Sequence, residues 1–198
     1  MSTAIGDQTE RDATVIRQSH DAPERFGAIF DAYFAEIRAY ASRRVGVEHA
    51  SDIAAETFVA AFRKRDRYDP ERASVRTWLY GFATKLIGKH RRSELRALRA
   101  MDRVAPDPES EEHEERTAGR LAAEGLRGRL AGALAGLSAG DRDVVLLVAL
   151  AGLSHEEVAA ALDIPYGTVG SRLNRARRKL REALGGTNPL LDLEGHDG

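Results

Sequence analysis

The sequence has no cysteine. This excludes disulfide frameworks and thiolate metal sites, and it fits a reducing cytoplasm. No apolar run approaches the ~20 residues that span a bilayer, so membrane insertion is not expected. The N-terminus, MSTAIGDQTERDATV, is polar and acidic and does not read as a signal peptide. Excess charge of one sign is also missing. The 30 Lys and Arg residues balance the 31 Asp and Glu residues to a formal net charge of −1. No global field draws the chain to nucleic acid, so any such attraction rests on local segregation of charge. There is no Gly-rich phosphate loop, and His155-Glu156-Glu157 lacks the second histidine of a zinc protease motif. The six histidines are scattered, and they read as surface or helix-end residues. No enzyme, metal site or cofactor is expected.

What is present is organised around Ser154 to Arg181. Ser154 and Glu157 form a capping-box signature. Val158, Ala159 and Leu162 give a short apolar face, and Asp163-Ile164-Pro165 breaks the helix because the residue before proline is pushed out of the helical region. A second helix opens at Gly167 and Thr168. Its Val169, Leu173, Ala176 and Leu180 recur at steps of four, three and four, which is one buried face. The remaining positions are rich in Arg and Lys, with no acid before Glu182. A capped helix, a Pro-Gly turn and a basic helix at this spacing form a helix-turn-helix. Its second helix can present Arg and Asn to phosphates and base edges in a major groove.

Residues 1–22 show little apolar periodicity and are expected to be a mobile lead. Phe26, Ile29, Phe30, Tyr33, Phe34, Ile37 and Tyr40 recur at threes and fours and predict a long helix ended by Gly46. A second helix is predicted from about Glu48 to Arg67, with Ile53, Phe58, Val59 and Phe62 on its apolar side and Asp52 and Glu56 on another. The loop from Tyr68 to Ser74 is set by Asp69-Pro70. A third helix follows from about Val75, with Trp78, Leu79, Phe82, Leu86 and Ile87 inward, running on into a basic stretch. Trp78 and Phe82, four apart, are expected in the core, whereas Tyr68 and Tyr80 stay open as platforms on which single-stranded bases could stack. Residues 23–99 thus form one small helical domain. Residues 100–118, with Pro106, Pro108 and a run of glutamates, read as an extended acidic linker. Helical pattern resumes for a second domain over 119–184, and 185–198 form a flexible tail. The fold class is all-α: two small helical domains joined by an acidic linker, the C-terminal one a helix-turn-helix.

The pairing of ASDIAAETFVAAFRKRDRYDPERASVRTWLYGFATKLIGKHRR with LSAGDRDVVLLVALAGLSHEEVAAALDIPYGTVGSRLNRARRKL resembles the extracytoplasmic-function group of bacterial sigma factors over residues 24–184. The resemblance implies a cytoplasmic protein that binds core RNA polymerase and directs it to a promoter subset. Docking on the clamp helices of the largest polymerase subunit would use Asp52, Glu56, Phe58 and Arg63, and the flap of the second-largest subunit would be a further contact. The −10 element would be read as single strand by Tyr68, Arg72, Ser74, Lys85, Lys89, Arg91 and Arg92, with a flipped base in the loop. Lys85 stands where many members carry Asn, and a cation holds a phosphate without making an amide's paired contacts to a base. The −35 element would be read as duplex by Thr168, Ser171, Arg172, Asn174, Arg175, Arg178 and Lys179. The resemblance also implies an anti-sigma partner bound across both domains. A stand-alone helix-turn-helix regulator is the rival reading, and it accounts only for residues 138–184.

Overall fold

The computed structural model describes residues 2–101 and 118–185, and all regular structure among them is helical. Four helices build the first domain: α1 (Ser2–Gln18), α2 (Gly27–Val45), α3 (Val47–Arg63) and α4 (Val75–Met101). Four more build the second: α5 (Ala118–Ala135), α6 (Ala139–Ala151), α7 (His155–Leu162) and α8 (Tyr166–Ala183). Most of the predicted acidic linker, and the tail beyond Gly185, lie outside the described residues.

Helices α2 and α3 fold back on each other across a single residue. Gly46 sits at φ 84°, a left-handed conformation that glycine adopts without steric cost. The interior is filled by Ile29, Ile37 and Tyr40 of α2, by Ile53, Ala54 and Phe58 of α3, and by Val75, Leu79, Ala83 and Ile87 of α4. Aromatic edges lock the layers: the Tyr40 and Tyr80 rings are 5.0 Å apart at 85°, and Phe30 meets Phe58 at 5.0 Å.

The expected mobile lead is instead helical through Gln18. Among its residues of described burial, Ala13 and Ile16 are the fully buried apolar side chains, too few to register as a periodic pattern. Much of its anchorage is polar. Asp12 is 5% exposed and accepts a hydrogen bond from the Tyr33 hydroxyl and another from Gln8 at 2.8 Å. Burial, reinforced by that carboxylate, raises the pKa of Tyr33.

In the second domain Ser138 caps α6 by accepting from the Asp141 amide, and the Ser154–Glu157 capping box is formed in both directions at the start of α7. Gly152 ends α6 in the left-handed region. Asp163 ends α7 at φ 56°, the one non-glycine residue with positive φ among the described residues. Val144, Leu147, Val158, Val169, Leu173 and Ala176 make the core.

The two domains lie against each other, with α7 on α4. The approach is closest at Gly81: a Cβ there would come within 2.5 Å of the Ala161 carbonyl oxygen. Buried apolar residues of the two domains belong to one continuous cluster, and polar pairs rim it. Arg44, 5% exposed, reaches Asp143 at 2.6 Å and the Tyr40 hydroxyl at 2.7 Å. Arg76 bridges Glu36 (2.5 Å) and the Ala151 carbonyl (2.7 Å). Thr77 donates to Glu157 at 3.2 Å, and Arg72 pairs with Asp163 at 2.5 Å. Parting the domains would break these pairs and expose part of the apolar cluster.

Candidate nucleic-acid and polymerase interfaces

Helix α8 seats Val169, Leu173 and Ala176 inward. On a helix with 100° per residue, the side opposite them is Gly167, Ser171, Asn174 and Arg178. All four are exposed. Tyr166, 57% exposed at the helix start, lies off this ridge with its ring 6.3 Å from that of His155. The expected −35 residues therefore divide. Ser171, Asn174 and Arg178 point to solvent; the Ser171 hydroxyl donates to the Thr168 carbonyl at 3.0 Å. Arg172 and Arg175 lie on the flank, over the start of α6. The Arg172 guanidinium lies against Gly140, so closely that a Cβ there would meet it at 2.8 Å, and Arg175 Nε is 3.6 Å from the carboxylate of Asp141, which is 2% exposed. These two arginines hold α8 on α6 as well as carrying charge. Thr168 is half-buried near the helix start and Lys179 is exposed.

The expected −10 residues divide more sharply. A cavity of about 310 Å³ is lined by Arg67, Arg72, Trp78, Phe82 and Lys85 from the first domain and by Ala161 and Asp163 from the second. Trp78, Phe82 and Lys85 share one face of α4 at steps of four and three, and this face lines the cavity. The Tyr68 and Trp78 rings are 5.1 Å apart, and Trp78 meets Phe82 at 5.0 Å. Trp78 and Phe82 are half-buried, packed against the core on one side and lining the cavity on the other. Tyr80 departs from the expectation: it is 1% exposed and donates to Glu36 at 2.9 Å, so it offers no stacking platform. The helix has more than one apolar stripe, and periodicity alone could not tell which stripe the bundle covers. Tyr68 is half-buried and donates to the Ala73 carbonyl at 3.0 Å, and burial pushes its pKa up to about 12. Ser74 is spent as a cap: its hydroxyl accepts from the Thr77 amide at 3.2 Å. Arg91 is turned away from this face. It donates to the Arg44 carbonyl at 2.7 Å, and its pKa is lowered by burial and by the charges of Arg44 and Arg142. Lys89 and Arg92 are exposed.

On α3, Asp52, Glu56, Val59 and Arg63 follow at steps of four, three and four and form one exposed stripe. Val59 is 47% exposed, so it belongs to this stripe and not to the core side where the sequence puts it. Phe58, expected at the polymerase contact, is 4% exposed and packs on Phe30 and Phe34. It holds the helix and does not meet a partner.

Sequence reading missed two further features. Asp163 has the charge to close the −10 face, yet it reads only as a helix breaker. His49 and His90, scattered in sequence, come together with Glu94. Among the described residues, no helix is long and apolar enough to cross a membrane.

Two family models match the chain: Sigma-70 region 2 over residues 29–97 and Sigma-70 region 4 over residues 127–180. The first covers most of the first domain and the second covers the helix-turn-helix. Among curated relatives, the ECF RNA polymerase sigma factor SigE of Mycolicibacterium smegmatis is 35% identical over 73% of this chain and 55% of its own length. CnrH of Cupriavidus metallidurans is 30% identical over 74% of this chain and 80% of its own. SigL of Mycobacterium tuberculosis is 33% identical over 79% of this chain and 87% of its own. The solved structure of CnrH in complex with the cytosolic domain of CnrY matches with a TM-score of 0.57, at 26% identity over 93% of this chain and 99% of that one. The chain belongs to the ECF RNA polymerase sigma factors.

Proposed function

We propose that this chain binds core RNA polymerase through the exposed α3 stripe and reads promoters with two separate faces. The −35 element is met as duplex by α8, with Ser171 and Asn174 toward base edges and Arg178 and Lys179 on phosphates. Arg172 and Arg175 reach phosphates from the flank. The −10 element is met as single strand by the Trp78–Phe82–Lys85 face and the Tyr68–Ser74 loop, where Arg72 and Lys85 supply charge and Trp78 an aromatic surface. Lys89 and Arg92 continue this basic track. The chain works in the cytoplasm, where the polymerase is. The family's members are sigma factors, which are not enzymes.

The single observation that carries the reading is the coincidence of two family matches, at 29–97 and 127–180, with two domains that each present a basic face. A stand-alone regulator would leave the first match without a role.

In this arrangement α7 lies over the −10 face, so promoter reading requires the domains to part. CnrH, the structural relative, is bound to the cytosolic domain of CnrY. A protein of that kind, an anti-sigma factor bound across both domains, would hold this chain apart from the polymerase.

The test is reconstitution: purified chain, bacterial core polymerase and run-off transcription from genomic fragments. Initiation at discrete sites that depends on the chain is expected. A chain that shifts duplex DNA alone, without binding core, would overturn the reading in favour of a repressor or activator.

A further inference from the structure

Helix α3 opens with His49, three residues ahead of Asp52. Helix α4 carries His90 and, one turn later, Glu94. The antiparallel packing of the two helices brings these three side chains to one place. His90 Nε2 is 3.3 Å from Glu94 Oε1, and His49 Nε2 is 3.8 Å from the same oxygen. The two imidazole rings are 4.5 Å apart, and all three donor atoms lie within 4.8 Å of one another.

The hydrogen bonding of this cluster is incomplete. His90 Nε2 is buried and has no hydrogen-bond partner, although the Glu94 oxygen is close. The nitrogen and the oxygen converge without the alignment of a donor on an acceptor. Convergent lone pairs suit a cation placed between them. Ligands held ~2.0–2.1 Å from a tetrahedral ion are roughly 3.4 Å apart, close to the His90–Glu94 spacing, and His49 would have to swing inward to complete the set. Its side chain is 43% exposed, so it is free to do so. The Glu94 side chain, 47% exposed, leaves the site open to solvent. Arg91, next to His90 in the chain, does not crowd the site with charge, because it is turned onto the Arg44 carbonyl.

We propose that His49, His90 and Glu94 form a binding site for a divalent transition cation, with Zn²⁺ the best fit. Two imidazoles and one carboxylate, with no thiolate, are a donor set for a borderline cation, and a water completes the fourth position. The ion would tie the start of α3 to the last third of α4. It would therefore brace the helix between the polymerase stripe and the segment that leads out of the first domain. The proposal stands apart from the promoter-reading assignment, because it concerns residues that neither face uses.

The experiment is calorimetric titration of ZnCl₂ into the chelator-treated full chain, followed by thermal melting with and without the metal. One zinc per chain and a raised Tm are expected. His49→Ala and Glu94→Gln, both at partly exposed positions, should each weaken binding tenfold or more while the helical circular dichroism is unchanged. Co²⁺ in place of Zn²⁺ should give a tetrahedral ligand-field spectrum that both variants lose. Zinc binding that persists unchanged in the His49→Ala/Glu94→Gln double variant overturns the proposal, as does a wild-type chain that takes up no zinc at millimolar metal.

Discussion

Helices α8 and α4 carry similar basic chemistry, yet one face is open and the other is covered. On α8, Ser171, Asn174 and Arg178 stand in solvent opposite the buried stripe. On α4, Trp78, Phe82 and Lys85 line a cavity that α7 closes from the other side. The difference teaches that charge pattern marks a nucleic-acid face but not its accessibility. Accessibility is set by a neighbouring helix, α7, whose alanine-rich second half approaches because Gly81 has no side chain. Under the proposed reading, the open face would meet duplex DNA as it stands, and the covered face would need a conformational step first.

The largest effect should come from striking the open face. Asn174→Ala with Arg178→Ala removes one base-edge contact, worth ~1–3 kcal/mol, and one phosphate contact, so promoter-specific run-off should fall tenfold or more. Core-polymerase binding, followed by gel filtration, should stay intact. Lost core binding in a folded variant would mean that the two faces do not divide the labour.

Gly81→Ala attacks the cover. The added methyl would sit 2.5 Å from the Ala161 carbonyl oxygen, which cannot yield without moving α7. Small-angle scattering should report a larger radius of gyration, and promoter-specific run-off at limiting concentration should rise several-fold. Within α4 itself alanine is favoured over glycine by roughly 0.5–1 kcal/mol, so the first domain should not be weakened. An unchanged radius would show that the domains absorb the methyl and remain closed.

Arg175→Ala should separate stability from recognition. It removes the ion-pair partner of the buried Asp141 carboxylate and should destabilise the second domain by about 1–3 kcal/mol in denaturant melts. Arg178→Ala, at an exposed site beside Glu182, should leave the melt unchanged. Equal melts for the two variants would remove the structural role assigned to Arg175.

Asp163→Asn is a gentler probe of the cover. Asparagine tolerates the left-handed conformation, so the turn survives while the charge pair with Arg72 is lost. Both partners are largely exposed, and exposed pairs contribute ~0.2–1 kcal/mol. Opening should increase less than in Gly81→Ala, and high salt should erase the difference between Asp163→Asn and wild type.

The smallest effect is at alkaline pH. Burial holds Tyr68 at about 12 and also raises the pKa values of Tyr33, Tyr40 and Tyr80. A pKa raised above the unfolded value of ~10 gives stability that is complete below pH ~10 and is lost as pH rises through the folded value. Ultraviolet titration should show delayed phenolate formation in the native chain. Stability that does not fall above pH ~10 would contradict the burial of these hydroxyls.

Much of the architecture was legible because it rests on local rules. Gly46, Gly152, Asp163-Ile164-Pro165 and the Ser154–Glu157 box end or start helices where the sequence says they should. The inward stripe of α8 was equally clear, since Leu173, Ala176 and Leu180 each have an Arg or Lys beside them. Placement across elements was not legible. Phe58 and Val59 are adjacent and both apolar, and only the packing of α2 decides that one is buried and the other is not. Tyr80 is buried for the same reason. Helix α1 escaped notice because, among its residues of described burial, it docks through Asp12 and a short apolar set (Ala13, Val15, Ile16) rather than a broad stripe. No linear pattern indicates that Arg172 and Arg175 rest on the start of α6.

The seam between α4 and α7 also has a consequence for how binding strength would be measured. If only the parted form engages polymerase, the apparent dissociation constant is the intrinsic one divided by the parted fraction. A resting population with one molecule in ten parted would look tenfold weaker, a difference of ~1.4 kcal/mol, though no contact with polymerase had changed. The Arg44–Asp143 and Arg72–Asp163 pairs can then tune promoter output from a distance. Sequence changes along this seam would alter how much factor is ready at a given concentration, while the promoters it selects stay the same.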